Sequence, residues 1–104
     1  MKIFYRAMAV AASALLIQGC GEVQMGADPA VFKAVDALYT AVSLREPDRV
    51  DHCMASLTTL RDSAALDREP FDALDRIASE ARSGSWESAQ SRLARFMRGQ
   101  TRGR

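Results

Sequence analysis

One histidine, one tryptophan and two cysteines in 104 residues leave little material for chemistry. A structural zinc site takes about four ligands from Cys, His and carboxylates, and His52 is the sole imidazole. No Gly-rich phosphate loop, nucleophile elbow, paired-cysteine motif or histidine–carboxylate set occurs. Neither an enzyme nor a metal or cofactor site is expected. Charge of one sign is missing too: 14 Lys and Arg face 13 Asp and Glu, a formal net charge of +1. A near-neutral chain lacks the electrostatic footprint of a nucleic-acid binder. Lysine is almost absent, Lys2 and Lys33 apart, which reads as genomic base composition before it reads as function. No stretch alternates with period two, so no strand is predicted. No apolar run reaches the ~20 residues that a membrane-spanning helix needs.

What is present begins at the amino terminus. Lys2 and Arg6 form a basic start without an acid, and the apolar run from Ala7 to Ile17, about 11 residues, has the length of a signal h-region. Gly19 and Cys20 follow. This stretch resembles a bacterial lipoprotein signal, whose lipobox ends in an aliphatic residue, two small residues and a Cys. Ile17, Gly19 and Cys20 match it; Gln18 stands where a small residue is commoner. The resemblance implies that residues 1–19 are removed and that the Cys20 thiol receives a diacylglyceryl group. The new amino terminus would then take a palmitate-type acyl chain. That covalent lipid is the only prosthetic group expected. Each buried methylene contributes about 0.8 kcal/mol, and two or three chains hold a protein far longer than one. Gly21 at the next position resembles the outer-membrane-directed class. The implied location is the cell envelope, lipid-anchored and facing the periplasm, on the outer membrane.

Loss of Lys2 and Arg6 would make the mature chain slightly acidic. It is one small domain at most, near the size where a single core is marginal. With Cys20 acylated, Cys53 is left over, either free or cross-linking a homodimer. Residues 20–27 are small and Gly-containing and predict a flexible tether. Asp28-Pro29 opens a helix, and Val31, Val35, Leu38 and Val42, with Phe32 and Tyr39, give it an apolar face. Glu46-Pro47 breaks that helix. Val50, Cys53, Met54, Leu57 and Leu60 mark a second, with residues 61–68 as the next connection. Glu69-Pro70 opens a third, carried by Phe71, Leu74, Ile77, Ala78 and Ala81. Ser83-Gly84-Ser85 ends it and caps a fourth, with Trp86, Ala89, Leu93, Phe96 and Met97 on its stripe. The expected fold is all-α: four short helices as two antiparallel hairpins over residues 28–98, then a basic tail over 99–104.

Shifted by 36 residues, Asp36-Ala37-Leu38 falls on Asp72-Ala73-Leu74 and Leu57 on Leu93, a spacing that suits a duplicated helical hairpin. Two unrelated amphipathic hairpins of equal length would align as well. Gly84-Ser85-Trp86-Glu87-Ser88-Ala89, with Leu93 and Phe96, is similar to the turn and second helix of a tetratricopeptide unit. Arg76, Ile77 and Glu80 in the preceding helix depart from that pattern. The similarity covers about half of one repeat and implies hairpin geometry alone.

Among candidate functional residues, Asp48, Asp51, His52 and Cys53 cluster in sequence. Adjacent helical residues point about 100° apart, so His52 and Cys53 do not face one ion. The bland alternative is a surface histidine beside a buried cysteine. Trp86 is read as a core anchor. Asp67, Glu69, Asp72 and Asp75 favour the positive end of the third helix. The more informative pattern is at the carboxyl end, where Arg92, Arg95, Arg98, Arg102 and Arg104 follow Glu87 with no further acid. These arginines suit anionic lipid headgroups, lipid A phosphates or an acidic partner, at up to about 1 kcal/mol each; a solvated cationic helix end is the plain alternative. The functional expectation is a membrane-anchored interaction or accessory module with a protein partner in the envelope. The alternative is an envelope-binding protein that uses those arginines.

Overall fold

Asp28 starts the first helix in the way its sequence predicts. In the computed structural model, which describes residues 22–101, its Oδ1 accepts the Ala30 N–H at 2.9 Å and Pro29 follows in the first turn. Such a cap is worth about 1 kcal/mol. Four helices follow: α1 (Pro29–Ser43), α2 (Pro47–Asp62), α3 (Arg68–Arg82) and α4 (Trp86–Arg98). The described residues contain no strand, so the fold is all-α. α3 begins at Arg68, a little ahead of the Glu69-Pro70 signal, because Pro70 is tolerated within the first turn, where its missing N–H has no partner to lose.

The three connections share one device. Glu46 N–H donates to Ala41 O while Arg45 N–H donates to Val42 O. Ala65 to Leu60 with Ala64 to Arg61, and Ser85 to Glu80 with Gly84 to Ala81, repeat the pattern. These paired bonds are Schellman turns, which place one residue in the left-handed region. Gly84 occupies it at φ 101°, but Arg45 (φ 55°) and Ala64 (φ 67°) carry a Cβ there. A left-handed non-glycine residue costs roughly 1–2 kcal/mol. Ala64→Gly is therefore expected to stabilise the protein by up to about 1 kcal/mol once the greater unfolded-state entropy of glycine is subtracted. Gly84→Ala is expected to destabilise it by a similar amount. Urea denaturation of both variants checks the pair, and the same sign for both would contradict the turn geometry.

Each helix packs on its neighbours in sequence, and α1 also packs on α4, which closes a ring of four. Side-chain bonds give the directions. Arg82 at the end of α3 donates to Asp51 near the start of α2 at 2.6 Å. Ser88 in the first turn of α4 donates to Glu80 near the end of α3 at 2.9 Å. Gln90 of α4 reaches the Tyr39 hydroxyl of α1 at 3.4 Å. Neighbours therefore run antiparallel around the ring, as short loops require. The structure bears out the helical hairpins and supports no tetratricopeptide assignment.

The core collects one stripe from each helix. Val31, Val35 and Leu38 meet Val50 and Leu57 of α2, with Leu74 of α3 and Leu93 of α4, all fully buried. Burying a side chain of this size contributes about 1.5–3 kcal/mol. Leu66, from the α2–α3 connection, plugs the same core. Trp86, read as a core anchor, is half-buried and packs against the edge.

Candidate functional site at the joined chain ends

Within residues 22–27, for which composition predicts a flexible spacer, Val23, Gln24 and Met25 form hydrogen bonds to residues 99–101. They run back along the end of α4 and are tied to it by two glutamines. Gln24 Nε2 donates to the Gly99 carbonyl at 2.8 Å, and its Oε1 accepts both the backbone N–H and the hydroxyl of Thr101 at 3.0 Å. In return, Gln100 Oε1 accepts the Met25 N–H at 2.8 Å. Its Nε2 donates to Val23 O at 2.9 Å and to Phe96 O at 2.8 Å. Each amide thus supplies a donor and an acceptor to the other segment, as its chemistry allows. Met25 sits beneath this clasp at 4% exposure, as buried as the helical core.

Gly99 permits the close approach. A Cβ there would lie 2.6 Å from Glu22 Cγ, so any larger residue pushes the Glu22 side chain aside. The folded body accordingly includes residues 22–27 and 99–101 as well as 28–98.

This clasp lies beside the arginines singled out in the sequence. Arg92 Nε pairs with Glu80 Oε1 at 3.2 Å, which ties α4 to α3. Surface pairs of this kind contribute about 0–1 kcal/mol. Arg95 and Arg98 are exposed, and no ion pair to a carboxylate forms at either among the described residues. Arg95 helps line a groove of about 700 Å³ between α3 and α4, together with Arg76, Arg92, Glu80, Glu22 and Val23. Cys20, Arg102 and Arg104 lie outside the described residues. The amino-terminal segment and the cationic helix end, far apart in sequence, therefore share one end of the bundle.

The other face of interest is the shallow groove of about 490 Å³ between α1 and α2, lined by Ala30, Ala34, Ala37, Cys53, Ser56 and Leu60. His52 is exposed beside it, and no hydrogen bond or ion pair joins it to Asp48. No cluster of His, Cys, Asp and Glu fit to hold a metal forms among the described residues. Cys53 is free and half-buried; burial pushes its thiol pKa up, and the Arg49 charge opposes this in part. A raised thiol pKa in the fold means that the native state holds its proton longer than the unfolded chain. The associated stability is complete below the ordinary value of 9.0 and is lost as pH rises through the higher native value. Two results follow. At pH 8, iodoacetamide should modify native Cys53 more slowly than the urea-unfolded chain. Above pH 9.0 the native protein should lose stability relative to Cys53→Ala. Equal alkylation rates in the two states would remove both.

The glutamine clasp left no mark in local sequence patterns, since its partners are about 75 residues apart. The available signs were Val23 and Met25, two apolar residues that alternate with Glu22 and Gln24 in a short segment. Comparison with protein-family models, curated proteins and solved structures finds no match.

Proposed function

We propose that this is a small lipid-anchored protein of the bacterial cell envelope whose helical bundle serves as an interaction or accessory module beside the bilayer. The lipobox-like residues Ile17, Gly19 and Cys20 motivate the anchor. The observation that carries the reading is the docking of Glu22 and Gln24 on the end of α4. Cys20 precedes Glu22 by two residues, and two residues span at most about 7 Å. An acylated Cys20 would hold the bundle against the membrane rather than on a long leash. A module kept that close suits a partner that is itself in or on the membrane.

Mass spectrometry of the cellular protein tests the anchor. A mature chain that starts at an acylated Cys20 supports it, and an intact leader with a free sulfur ends it. Pull-down from mild detergent tests the module, which requires a stable envelope partner; recovery of a lone monomer counts against it. A non-reducing gel reports a Cys53 cross-linked dimer.

A second reading, favoured by Arg95 and Arg98, neither of which pairs with a carboxylate among the described residues, is direct contact with anionic lipid or lipopolysaccharide through Arg92, Arg95, Arg98, Arg102 and Arg104. Deleting the tail after Gly99 is a poor test, because it also removes Gln100 and Thr101 from the clasp. Arginine-to-glutamine changes avoid that fault.

A further inference from the structure

We infer that the clasp is a docking site for a second copy of this chain, filled when two copies exchange residues 22–25. This strap then crosses from each bundle to the end of α4 in the other. The inference goes beyond the reading above by naming the partner, and it holds whether or not Cys20 is acylated. Exchange requires a detachable element, a free hinge, an open acceptor and two faces that tolerate each other. The strap is detachable, because no backbone-to-backbone hydrogen bond joins it to α4 among the described residues. Gln100 donates to Val23 O and accepts from Met25 N–H, and Gln24 bonds Gly99 O and Thr101 N–H in the same manner. The clasp thus reads the strap's backbone and one buried apolar side chain, Met25. Neither feature depends on which copy supplies the strap. The acceptor lies at the surface, where Gln100 is half-buried and Gln24 exposed.

The hinge is Gly26-Ala27. Both residues are exposed, and neither forms a hydrogen bond among the described residues. Gly26 has φ 86°, and glycine populates negative φ as readily, so the turn that sends the strap to its own bundle opens without steric penalty. The three residues from Met25 to Asp28 span at most about 11 Å, so exchange makes the two bundle ends abut. Those ends carry both signs of charge. Glu22, Asp67 and Glu69 stand there with Lys33, Arg68 and Arg98, none of them in an ion pair among the described residues. A face of mixed sign suits a second copy, because two-fold pairing sets each residue opposite a different one. Exchange keeps every strap–clasp bond, so its cost is association alone. A short flexible connection gives docking in cis an effective concentration of about millimolar. The closed monomer therefore prevails in dilute solution and the exchanged dimer above that range.

Two full-length variants, each broken on one side, provide the test. Gly99→Val/Gln100→Ala keeps the strap and spoils the clasp, through a clash with Glu22 and the loss of the amide. Gln24→Ala/Met25→Ala keeps the clasp and spoils the strap. The first variant carries isotope-labelled methionine methyls, so that Met25 reports its own burial by NMR. Alone, its Met25 methyl should resonate as an exposed methionine. On titration with the second variant it should move to the buried position of the wild type. Adding Gln100→Ala to the second variant should weaken that titration at least about tenfold. Sedimentation of the wild type should give monomer at micromolar and dimer near millimolar concentration. A Met25 methyl that ignores the intact clasp, or that stays buried beside the spoiled one, overturns the inference. A wild type still monomeric at millimolar concentration overturns it without any substitution. A Cys20 without lipid ends the anchored reading and changes none of these results, so the two failures are distinct.

Discussion

Phe96→Ala is expected to remove most of the stability of the domain. Phe96 is 2% exposed, and its carbonyl accepts Gln100 Nε2, so it joins the core to the clasp. Truncating a buried phenylalanine costs about 3–5 kcal/mol, the lost transfer term plus the cavity left behind. Small single domains hold only about 5–15 kcal/mol in total, and those of this length lie at the low end. For a domain of 60–100 residues each kcal/mol shifts Tm by about 4–8 °C. A fall of at least about 12 °C is therefore expected, with the urea midpoint lowered in step. Phe96→Leu keeps much of the apolar volume and should lose less than half as much. An alanine variant within about 1 kcal/mol of the wild type would mean that the ring of helices does not close around this side chain.

Gln100→Ala should act locally rather than globally. Its side chain makes three bonds, to Met25 N, Val23 O and Phe96 O. At about 1 kcal/mol net for each, the variant forfeits roughly 2–3 kcal/mol of strap docking. The loss is capped there, because a released strap recovers its hydrogen bonds from water. Amide exchange at Met25 should accelerate about 30- to 150-fold, the same free energy expressed as a local opening equilibrium. Amides deep in α1 and α3 should change far less. Gln100→Glu is a sharper probe, since a carboxylate can still accept from Met25 N–H but cannot donate to Val23 O or Phe96 O. It should fall between wild type and alanine at neutral pH. Uniform acceleration across all helices would place Gln100 in the global unfolding unit instead.

The four helices were legible because their information is local. Asp28-Pro29 announced a start that the structure bears out bond for bond, and Val31, Val35 and Leu38 recur at the spacing that turns them all inward. Ser83-Gly84-Ser85 named the α3–α4 turn, where glycine meets the left-handed backbone. The other two turns carry the same geometry on Arg45 and Ala64, whose identities give no hint of it. There the packing of the helices on either side dictates the backbone. Cys53 and Leu60 were placed on the α2 stripe, yet both are half-buried, because the stripe of α2 is shared between the core and the open groove toward α1. Part of the candidate site was legible too: Arg95 and Arg98 were marked by the absence of any acid after Glu87. Their neighbour was not. Gln24 and Gln100 are ordinary polar residues in ordinary polar contexts, and only the closed ring brings them together.

The clasp also imposes an order of events on biogenesis. Gly99, Gln100 and Thr101 leave the ribosome some 75 residues after Gln24 and Met25, and they cross any membrane later as well. Hairpin contacts within α1–α2 involve near neighbours and can form while synthesis continues, whereas the loop that joins residue 24 to residue 99 closes last. Until then Gln24 and Met25 lack the partners that they have in the finished fold. Emergence of residues 99–101 is thus the event that lets residues 23–25 dock on the end of α4.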